Sequence, residues 1–371
     1  MYNDRMFYLD VLRCLAILLV VYCHFVWVGS EWPSIPDVIN PSAKMPLLTA
    51  NSLTCFDTFL KNYFSTCAGT LGVCLFFLQS GFLVPTMMEH YGRPAFLVNR
   101  IVRIFPVMWL CIVISGLVVF LTNRITFSPG EYLLNMLLIK STIGGSIRWM
   151  LPMEVIFYFI AAIIGKFNFK KALISVLSII LFMVCVMVCI VFRDLYLDKH
   201  PILDHICFIL QFIPIIFIGT SIYLAKQYKS ILAKIACVSF FTSLAYLSLK
   251  KTCHYFDLEN VLTYGNLWTY LIVLGLWYAI CFVFEKDKLR LGSVLENIVQ
   301  KVSEAGYPIY LLHVSIGLTL IEKIRFTFNN SYLILTVALF CALLVSRLVY
   351  LYVEVPVISV GKRLKKTKKD L

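Results

Sequence analysis

The sequence predicts an all-α membrane protein with about ten transmembrane helices, each of about 20 residues. Of its 371 residues, 60% are hydrophobic and only 14% are charged, and the mean hydropathy is +0.86. Apolar runs long enough to cross a bilayer recur along the whole chain. Soluble domains have neither this composition nor this repetition of long runs.

Ten apolar runs qualify as spans. They cover residues 8–28, 69–88, 101–122, 147–165, 172–192, 206–225, 235–249, 265–284, 304–322 and 331–353. A further run, residues 132–139, is too short to span and is expected to lie at the interface or re-enter the membrane. No flexible linker and no internal repeat divides the chain, so residues 1–371 are interpreted as one integral membrane domain.

The distribution of Lys and Arg predicts the orientation. With the N-terminus inside, the inner segments hold 20 Lys and Arg and the outer segments hold 11. Because cytoplasmic loops carry the excess of basic residues, both termini are expected in the cytoplasm. Residues 29–68 then form a long outer loop that could roof a site. Residues 354–371 form a basic tail that is expected to contact anionic lipids.

Composition also excludes several classes. The net charge of +13 comes from basic residues beside apolar runs, so no nucleic-acid partner is expected. Most of the thirteen cysteines lie inside apolar runs, and no CxxC occurs, so no metal site is expected. A disulfide between Cys55 and Cys67 in the outer loop stays open, as does a homo-oligomer. The first apolar run lacks a cleavage site and is expected to remain as a span.

The first span carries three ionisable residues, which is costly inside a membrane and therefore points to function. Arg13 and His24 are eleven residues apart, which places them within about 20° on one helix face and about 16 Å apart along the axis. Asp10 precedes Arg13 by three residues and is close enough to pair with it. The other spans should show why one face of this helix carries ionisable residues.

Five further strings carry polar groups in apolar surroundings. They are GTLGVCLFFLQSGFL at 69–83, RIVRIFP at 100–106, WMLPMEVIFY at 149–158, YPIYLLH at 307–313 and EVP at 354–356. Together with the Arg13-to-His24 spacing, they resemble in order, over nearly the whole chain, the acyltransferase-3 family of integral membrane O-acyltransferases. The residues that match the family's motifs are Arg13, His24, Gly69, Gly72, Ser80, Gly81, Phe82, Arg100, Arg103, Pro106, Trp149, Glu154, Tyr158, Tyr307, Tyr310, His313, Glu354 and Pro356. The chain departs from the family pattern at Gln79 and Met150.

The resemblance implies an acyl-coenzyme A co-substrate, usually acetyl-coenzyme A, and no bound cofactor. It implies an acceptor hydroxyl on a cell-surface polysaccharide such as lipopolysaccharide O-antigen, in a bacterial inner membrane. Arg13, Arg100 and Arg103 are expected to bind the donor phosphates, because guanidinium groups match phosphate oxygens. His24 is expected to act as general base, with Glu154 orienting its imidazole or holding the acceptor. The expected supporting residues are Asp10, Ser80, Trp149, Tyr158 and His313.

Several alternatives remain open. Arg100 and Arg103 could mark topology alone, and His313 could serve only helix packing. A covalent acyl-His24 or acyl-Ser80 intermediate is a minority alternative, because Ser80 lacks a sequence-adjacent base. Glu354 and Pro356 are interpreted as the end of the last helix.

Two other functions also remain open. A secondary transporter with an intramembrane proton relay is the rival from another class, although the repeated halves of transporters are not apparent. The acceptor could instead be a lipid, peptidoglycan or a small secreted molecule. Because the chain ends eighteen residues after its last predicted span, no appended hydrolase-like domain is expected. The chain would then complete the transfer itself or use a separate partner.

Overall fold

A computed structural model describes all or most of six predicted spans, namely the first four, 304–322 and the last, and part of the span 206–225. The described residues are 7–27, 68–123, 125–143, 150–165, 213–227, 292–324 and 330–359, with Cys55, Phe59, Arg148, Thr327 and Phe328 as isolated positions. All the regular secondary structure within these residues is helical, as the all-α class predicts. The predicted spans 172–192, 235–249 and 265–284, nearly all of the outer loop 29–68, Trp149, Cys67 and the tail beyond 359 lie outside the described residues.

The described part of the chain forms ten α-helices. They are α1 (Phe7–Tyr22), α2 (Ala68–Tyr91), α3 (Arg93–Asn123), α4 (Pro129–Met136), α5 (Met150–Ile164), α6 (Ile213–Gln227), α7 (Ser293–Glu304), α8 (Gly306–Leu312), α9 (Thr319–Ile324) and α10 (Ser331–Val349). Three π-helical segments interrupt or extend them: Cys23–Trp27 after α1, His313–Leu318 between α8 and α9, and Tyr350–Glu354 after α10.

Four of the described helical stretches are long and apolar enough to cross a membrane. They are Phe7–Phe25, Leu71–Met88, Arg93–Thr122 and Tyr332–Ser359. These stretches agree with the predicted spans 8–28, 69–88, 101–122 and 331–353. Two shorter apolar helices, Met150–Ile164 and Ile215–Leu224, lie within the predicted spans 147–165 and 206–225.

Glycines allow α2 to pack tightly on both of its main neighbours. A Cβ at Gly72 would lie 2.7 Å from the carbonyl oxygen of Ala16 in α1. A Cβ at Gly81 would overlap the carbonyl oxygen of Ile216, and one at Gly219 would overlap that of Leu78. Because small residues let membrane helices approach closely, this packing explains glycine at these positions.

Helix α4 corresponds to the short run that was predicted not to span. Ser128 caps it, since Ser128 Oγ accepts from the Glu131 N–H and the Glu131 carboxylate accepts from the Ser128 N–H. This second bond lowers the pKa of the exposed Glu131 carboxyl, because it favours the charged form. The sequence Ser-Pro-Gly-Glu is thus a helix start signal.

Two helices extend beyond the sequence expectation. Between the predicted spans 265–284 and 304–322, where no helix was predicted, Ser293–Glu304 is a helix that packs on α1. The interpretation that Glu354 and Pro356 end the last helix is wrong, since the helix continues to Ser359. A π-helical turn directly precedes Pro356 and changes the hydrogen-bond register where the proline N–H is missing, which lets the helix continue.

Candidate active site

Two histidines from distant parts of the chain meet beside α1 and α8. His24 lies in the π-helical segment Cys23–Trp27, and His313 begins the π-helical segment His313–Leu318. Nδ1 of His24 and Nε2 of His313 are 3.1 Å apart, and the ring centroids are 4.9 Å apart. His313 is fully buried and His24 is partly exposed. π-Helical turns of this kind often occur at functional sites.

The backbone determines which nitrogen of His24 is basic. Nδ1 of His24 lies 2.8 Å from the carbonyl oxygen of Val20. A carbonyl oxygen only accepts, so Nδ1 carries the hydrogen of the neutral ring and Nε2 carries the lone pair. Among the described residues, none donates a hydrogen bond to this Nε2. His24 therefore offers an unpaired basic nitrogen within the part of the chain that the structure describes.

A second polar cluster surrounds Glu154 on α5. Oε1 of Glu154 accepts a hydrogen bond from Ser80 Oγ at 2.5 Å and another from the Tyr158 hydroxyl at 2.6 Å. Ser80 comes from α2, and Tyr158 follows Glu154 by one helical turn. The two hydroxyl groups hold the carboxylate in one position and satisfy one of its oxygens.

Three arginines lie around this carboxylate. Arg13 interacts electrostatically with Arg100, Arg103, Asp10 and Glu154. The Arg100 guanidinium carbon is 4.9 Å from the centre of the Tyr158 ring, and Arg100 Nη2 contacts the sulfur of Met87. We call Arg13, Arg100 and Arg103 the arginine layer. Asp10 and Glu354 lie in the same region, so the layer brings three positive charges near three carboxylates inside the apolar helices.

The three arginines differ in their own partners. Arg103 forms an ion pair with Glu354 at 3.4 Å and is 35% exposed, whereas Glu354 is fully buried. No described residue forms a hydrogen bond with the partly exposed guanidinium of Arg13. Arg13 therefore retains donors for a ligand.

The alignment of α1 with α2 shows that the histidine pair and the cluster around Glu154 lie far apart along the helix axis. Gln79 Nε2 donates to the carbonyl oxygen of Leu9 at 2.7 Å, and Gly72 faces Ala16 and Val20, so α1 and α2 run antiparallel. Ser80 follows Gln79 and therefore lies level with the beginning of α1. Fifteen residues separate Leu9 from His24, which corresponds to about 20 Å of helix rise. Glu154, which contacts Ser80, is thus distant from His24.

A comparison of the sequence with protein-family profiles shows the family of the chain. A family profile described as an acyltransferase domain matches residues 6–351. The chain belongs to the acyltransferase-3 family. No curated protein and no solved structure matches it. The family assignment makes the chain a membrane acyltransferase, and the resemblance that the motifs predicted is confirmed.

The structure of this acyltransferase-3 protein groups the predicted site residues differently from the expectation. Glu154 was expected either to orient the His24 imidazole or to hold the acceptor, and the structure shows that the imidazole contacts His313. Glu154 contacts Ser80 and Tyr158 and lies near the three arginines. The three arginines lie in one region of the structure. The role of each residue in the reaction stays a prediction.

Asp10 lies beside the arginine layer and links α1 to α7 through a hydrogen bond. Its Oδ1 accepts a hydrogen bond from Ser303 Oγ at 2.6 Å, and its carboxylate also interacts electrostatically with Arg13. The ion pair that the three-residue spacing predicts between Asp10 and Arg13 stays a prediction. Ser303 was not singled out in the sequence, since nothing near it indicated contact with α1.

A buried arginine is a second polar feature that the sequence motifs missed. Arg148 is 2% exposed, and its Nη2 donates to Asn135 Oδ1 at 2.6 Å. Its Nε has no hydrogen-bond partner among the described residues. Asn135 Oδ1 also accepts from the backbone N–H groups of Thr142 and Ile143. The only sequence signal was an asparagine within the apolar run YLLNMLLI, which suggested the interface and no partner.

Proposed function

We propose that this protein transfers an acetyl group from cytoplasmic acetyl-coenzyme A to a hydroxyl group of a cell-surface polysaccharide, in a bacterial inner membrane. The observation that carries this proposal is the arrangement of the first span, which consists of α1 and the π-helical segment that follows it. Its arginine lies in the arginine layer, and its histidine, whose Nε2 receives no hydrogen bond from a described residue, lies about 16 Å further along the helix. An extended donor with phosphates at one end and a thioester at the other suits this spacing.

The arginine layer would bind the phosphate groups of the donor. Guanidinium groups form paired hydrogen bonds with phosphate oxygens, and Arg13 has donors that no described residue occupies. Arg103 is held in place by Glu354 and yet remains partly exposed. With the N-terminus in the cytoplasm, as the basic residues favour, this layer faces the compartment that supplies acyl-coenzyme A.

His24 would then act as general base at the far end of the pantetheine arm. The acceptor oxygen attacks the thioester carbonyl carbon while Nε2 of His24 takes the hydroxyl proton. When the tetrahedral intermediate collapses, the C–S bond breaks. The coenzyme A thiolate takes the proton back from His24, which leaves an ester on the acceptor and a free thiol.

The alignment of α1 with α2 favours direct transfer over an acyl-Ser80 intermediate. The structure does supply Ser80 with a carboxylate neighbour, Glu154, which the sequence did not reveal. However, Ser80 lies in the region of the arginine layer, about 20 Å along the helix axis from His24. A donor whose phosphates occupy this layer would present its thioester elsewhere. Radiolabel that stays on the protein after denaturation during turnover would contradict direct transfer.

The transfer is tested with His24→Ala and a matched control. Cells that lack the gene receive the wild-type gene, His24→Ala or Cys23→Ala, a buried neighbour in the same π-helical segment. NMR spectroscopy then measures O-acetyl groups on the surface glycan at equal protein levels. We expect the signal with wild type and Cys23→Ala and a loss of about 100-fold or more with His24→Ala. Full acetylation with His24→Ala would reject the base.

Two rivals have their own tests. If the protein were a transporter with a proton relay, neither coenzyme A nor acetyl-coenzyme A should raise the melting temperature of the purified protein. We expect both to raise it, and Arg13→Gln to abolish the rise. If the acceptor were a lipid, peptidoglycan or a secreted molecule, the missing O-acetyl group on gene deletion would appear in that fraction and not in the surface polysaccharide.

A further inference from the structure

The contact between the two histidines determines the protons of both rings. His313 Nδ1 lies 3.0 Å from the carbonyl oxygen of Ile309, so this nitrogen carries the hydrogen when His313 is neutral. His313 Nε2 then has a lone pair. It lies 3.1 Å from His24 Nδ1, which carries a hydrogen because it also contacts the carbonyl of Val20. The His24 N–H is therefore shared between a backbone carbonyl and the His313 ring.

The surroundings of His313 leave its ring little freedom. His313 is fully buried, and the rings of Tyr310 and Phe25 lie close to it, with centroids 6.2 Å and 6.4 Å away. One turn later, a Cβ at Gly317 would overlap the Phe25 ring, which shows how closely the two π-helical segments pack. A buried ring fixed at one nitrogen by a carbonyl presents its other nitrogen in a defined direction.

This direction matters when His24 accepts a proton. The incoming proton binds at Nε2, on the opposite side of the His24 ring from His313. The His24 N–H that points to His313 then belongs to a cation, and hydrogen bonds from cations are about twice as strong as neutral ones. His313, a neutral acceptor, thus interacts more strongly with the protonated ring than with the neutral ring, which is the requirement for assisting the reaction.

We propose that His313 is a positioning residue for His24: it accepts the Nδ1–H of His24, orients Nε2 toward the acceptor hydroxyl and stabilises the imidazolium that forms during transfer. This inference rests on the proposed role of His24 as base. It gives the buried histidine of the YPIYLLH string a part in the reaction beyond helix packing. It also replaces Glu154 as the group that holds the imidazole.

Kinetics of four proteins in lipid nanodiscs test the proposal. Acetyl-coenzyme A is the donor, and de-O-acetylated surface polysaccharide from the host is the acceptor. His313→Leu fills the space without an acceptor, and His313→Gln keeps an acceptor atom where Nε2 lies. Thr319→Val, which replaces a buried hydroxyl without a described partner in the following helix, is the packing control.

We expect His313→Leu to lower kcat by about 10- to 100-fold, the loss expected for a hydrogen bond to a charged group. The KM for acetyl-coenzyme A should stay unchanged, because the arginine layer is distant. His313→Gln should recover most of kcat, and Thr319→Val should match wild type. Equal kcat values for His313→Leu and wild type, or no difference between His313→Leu and His313→Gln, would overturn the proposal.

A second measurement separates this proposal from the proposed function. Nitrogen NMR of protein labelled at its six histidines reports the tautomer of each ring, and His24→Gln assigns the His24 signals. We expect protonated Nδ1 and unprotonated Nε2 at both His24 and His313 near neutral pH. The opposite tautomer at His24 would overturn the role of His313 even if transfer occurs. Full transfer by His24→Ala would instead reject the base itself, whatever the tautomers.

Discussion

Ser80 on α2 donates a hydrogen bond to Glu154 on α5 across 2.5 Å, although 74 residues separate them in the chain. Tyr158 donates to the same oxygen of Glu154 at 2.6 Å. These bonds place the carboxylate beside the arginine layer and away from His24. A carboxylate among three cations lowers the repulsion between them and also competes with any phosphate that binds there.

Glu154→Gln tests this role. The amide oxygen still accepts from Ser80 and Tyr158, but the negative charge is lost. We expect the KM for acetyl-coenzyme A to fall by about two- to fivefold, because the donor phosphates no longer compete with a partly exposed carboxylate. We expect kcat to change little. Steady-state kinetics with varied donor measures both constants.

The same variant has an outcome that would support the earlier interpretation. A fall in kcat of about 100-fold or more at unchanged KM would place Glu154 in the chemical step, as the motif alone suggested. Arg347→Gln is the control for a charge change elsewhere. Arg347 has its own carboxylate partner, Glu304, at 3.1 Å, and should leave the donor KM unchanged when it is neutralised.

Arg103 has two separable roles, in stability and in donor binding. Removing its charge leaves the buried Glu354 unpaired, so Arg103→Gln should lower the free energy of unfolding by about 2–3 kcal/mol, less than for a fully buried pair because Arg103 is partly exposed. Arg103→Gln/Glu354→Gln should regain most of this loss. Both variants should show a raised donor KM. Thermal unfolding and kinetics separate the two effects, and a wild-type KM in the double variant would limit Arg103 to a structural role.

The first span was predictable from the sequence because its signals are local. An apolar run, an eleven-residue spacing and helical periodicity suffice to place Arg13 and His24 on one face. The partners of these residues were not predictable in the same way. His313 lies 289 residues after His24, and its contact depends on how α1 and α8 pack.

The position of Glu154 on α5 was likewise not predictable from the local sequence. It is apolar on nearly all sides, so its sequence does not indicate which face Glu154 occupies. The depth of Glu154 depends on the register between α1 and α2, which the buried Gln79 determines through the carbonyl of Leu9. The sequence marked Gln79 as a departure from the family pattern, but its partner is a backbone atom that no motif reveals.

Gly81→Ala tests the packing of α2 against α6. A Cβ would overlap the Ile216 carbonyl, a backbone atom that moves only if the helices separate. We expect a loss of about 1–3 kcal/mol in the free energy of unfolding. Gly130→Ala in α4 is the matched control, because a Cβ there meets only Ser128 Oγ at 3.9 Å. Equal melting temperatures for the two variants would contradict the close approach of α2 and α6.

Asn135 is expected to be more important for stability than the arginine it contacts. Its side chain accepts from Arg148 and from two backbone N–H groups, and its amide donates to Glu131 and Thr142. Asn135→Ala would leave these groups and a buried guanidinium without their partner. We expect a loss of about 3 kcal/mol in the free energy of unfolding, because a buried charged group without a hydrogen-bond partner costs more than a neutral one.

Arg148→Met should cost less, because it removes the buried charge while Asn135 keeps its bonds to the backbone. Adding Arg148→Met to Asn135→Ala should therefore regain stability, with a coupling energy of about 1 kcal/mol or more. Thermal unfolding in one detergent, with all four proteins, measures the cycle. If Arg148→Met were the more damaging of the two single changes, the guanidinium would have a partner that contributes more than Asn135 does. Asn135 would then not be the more important residue for stability.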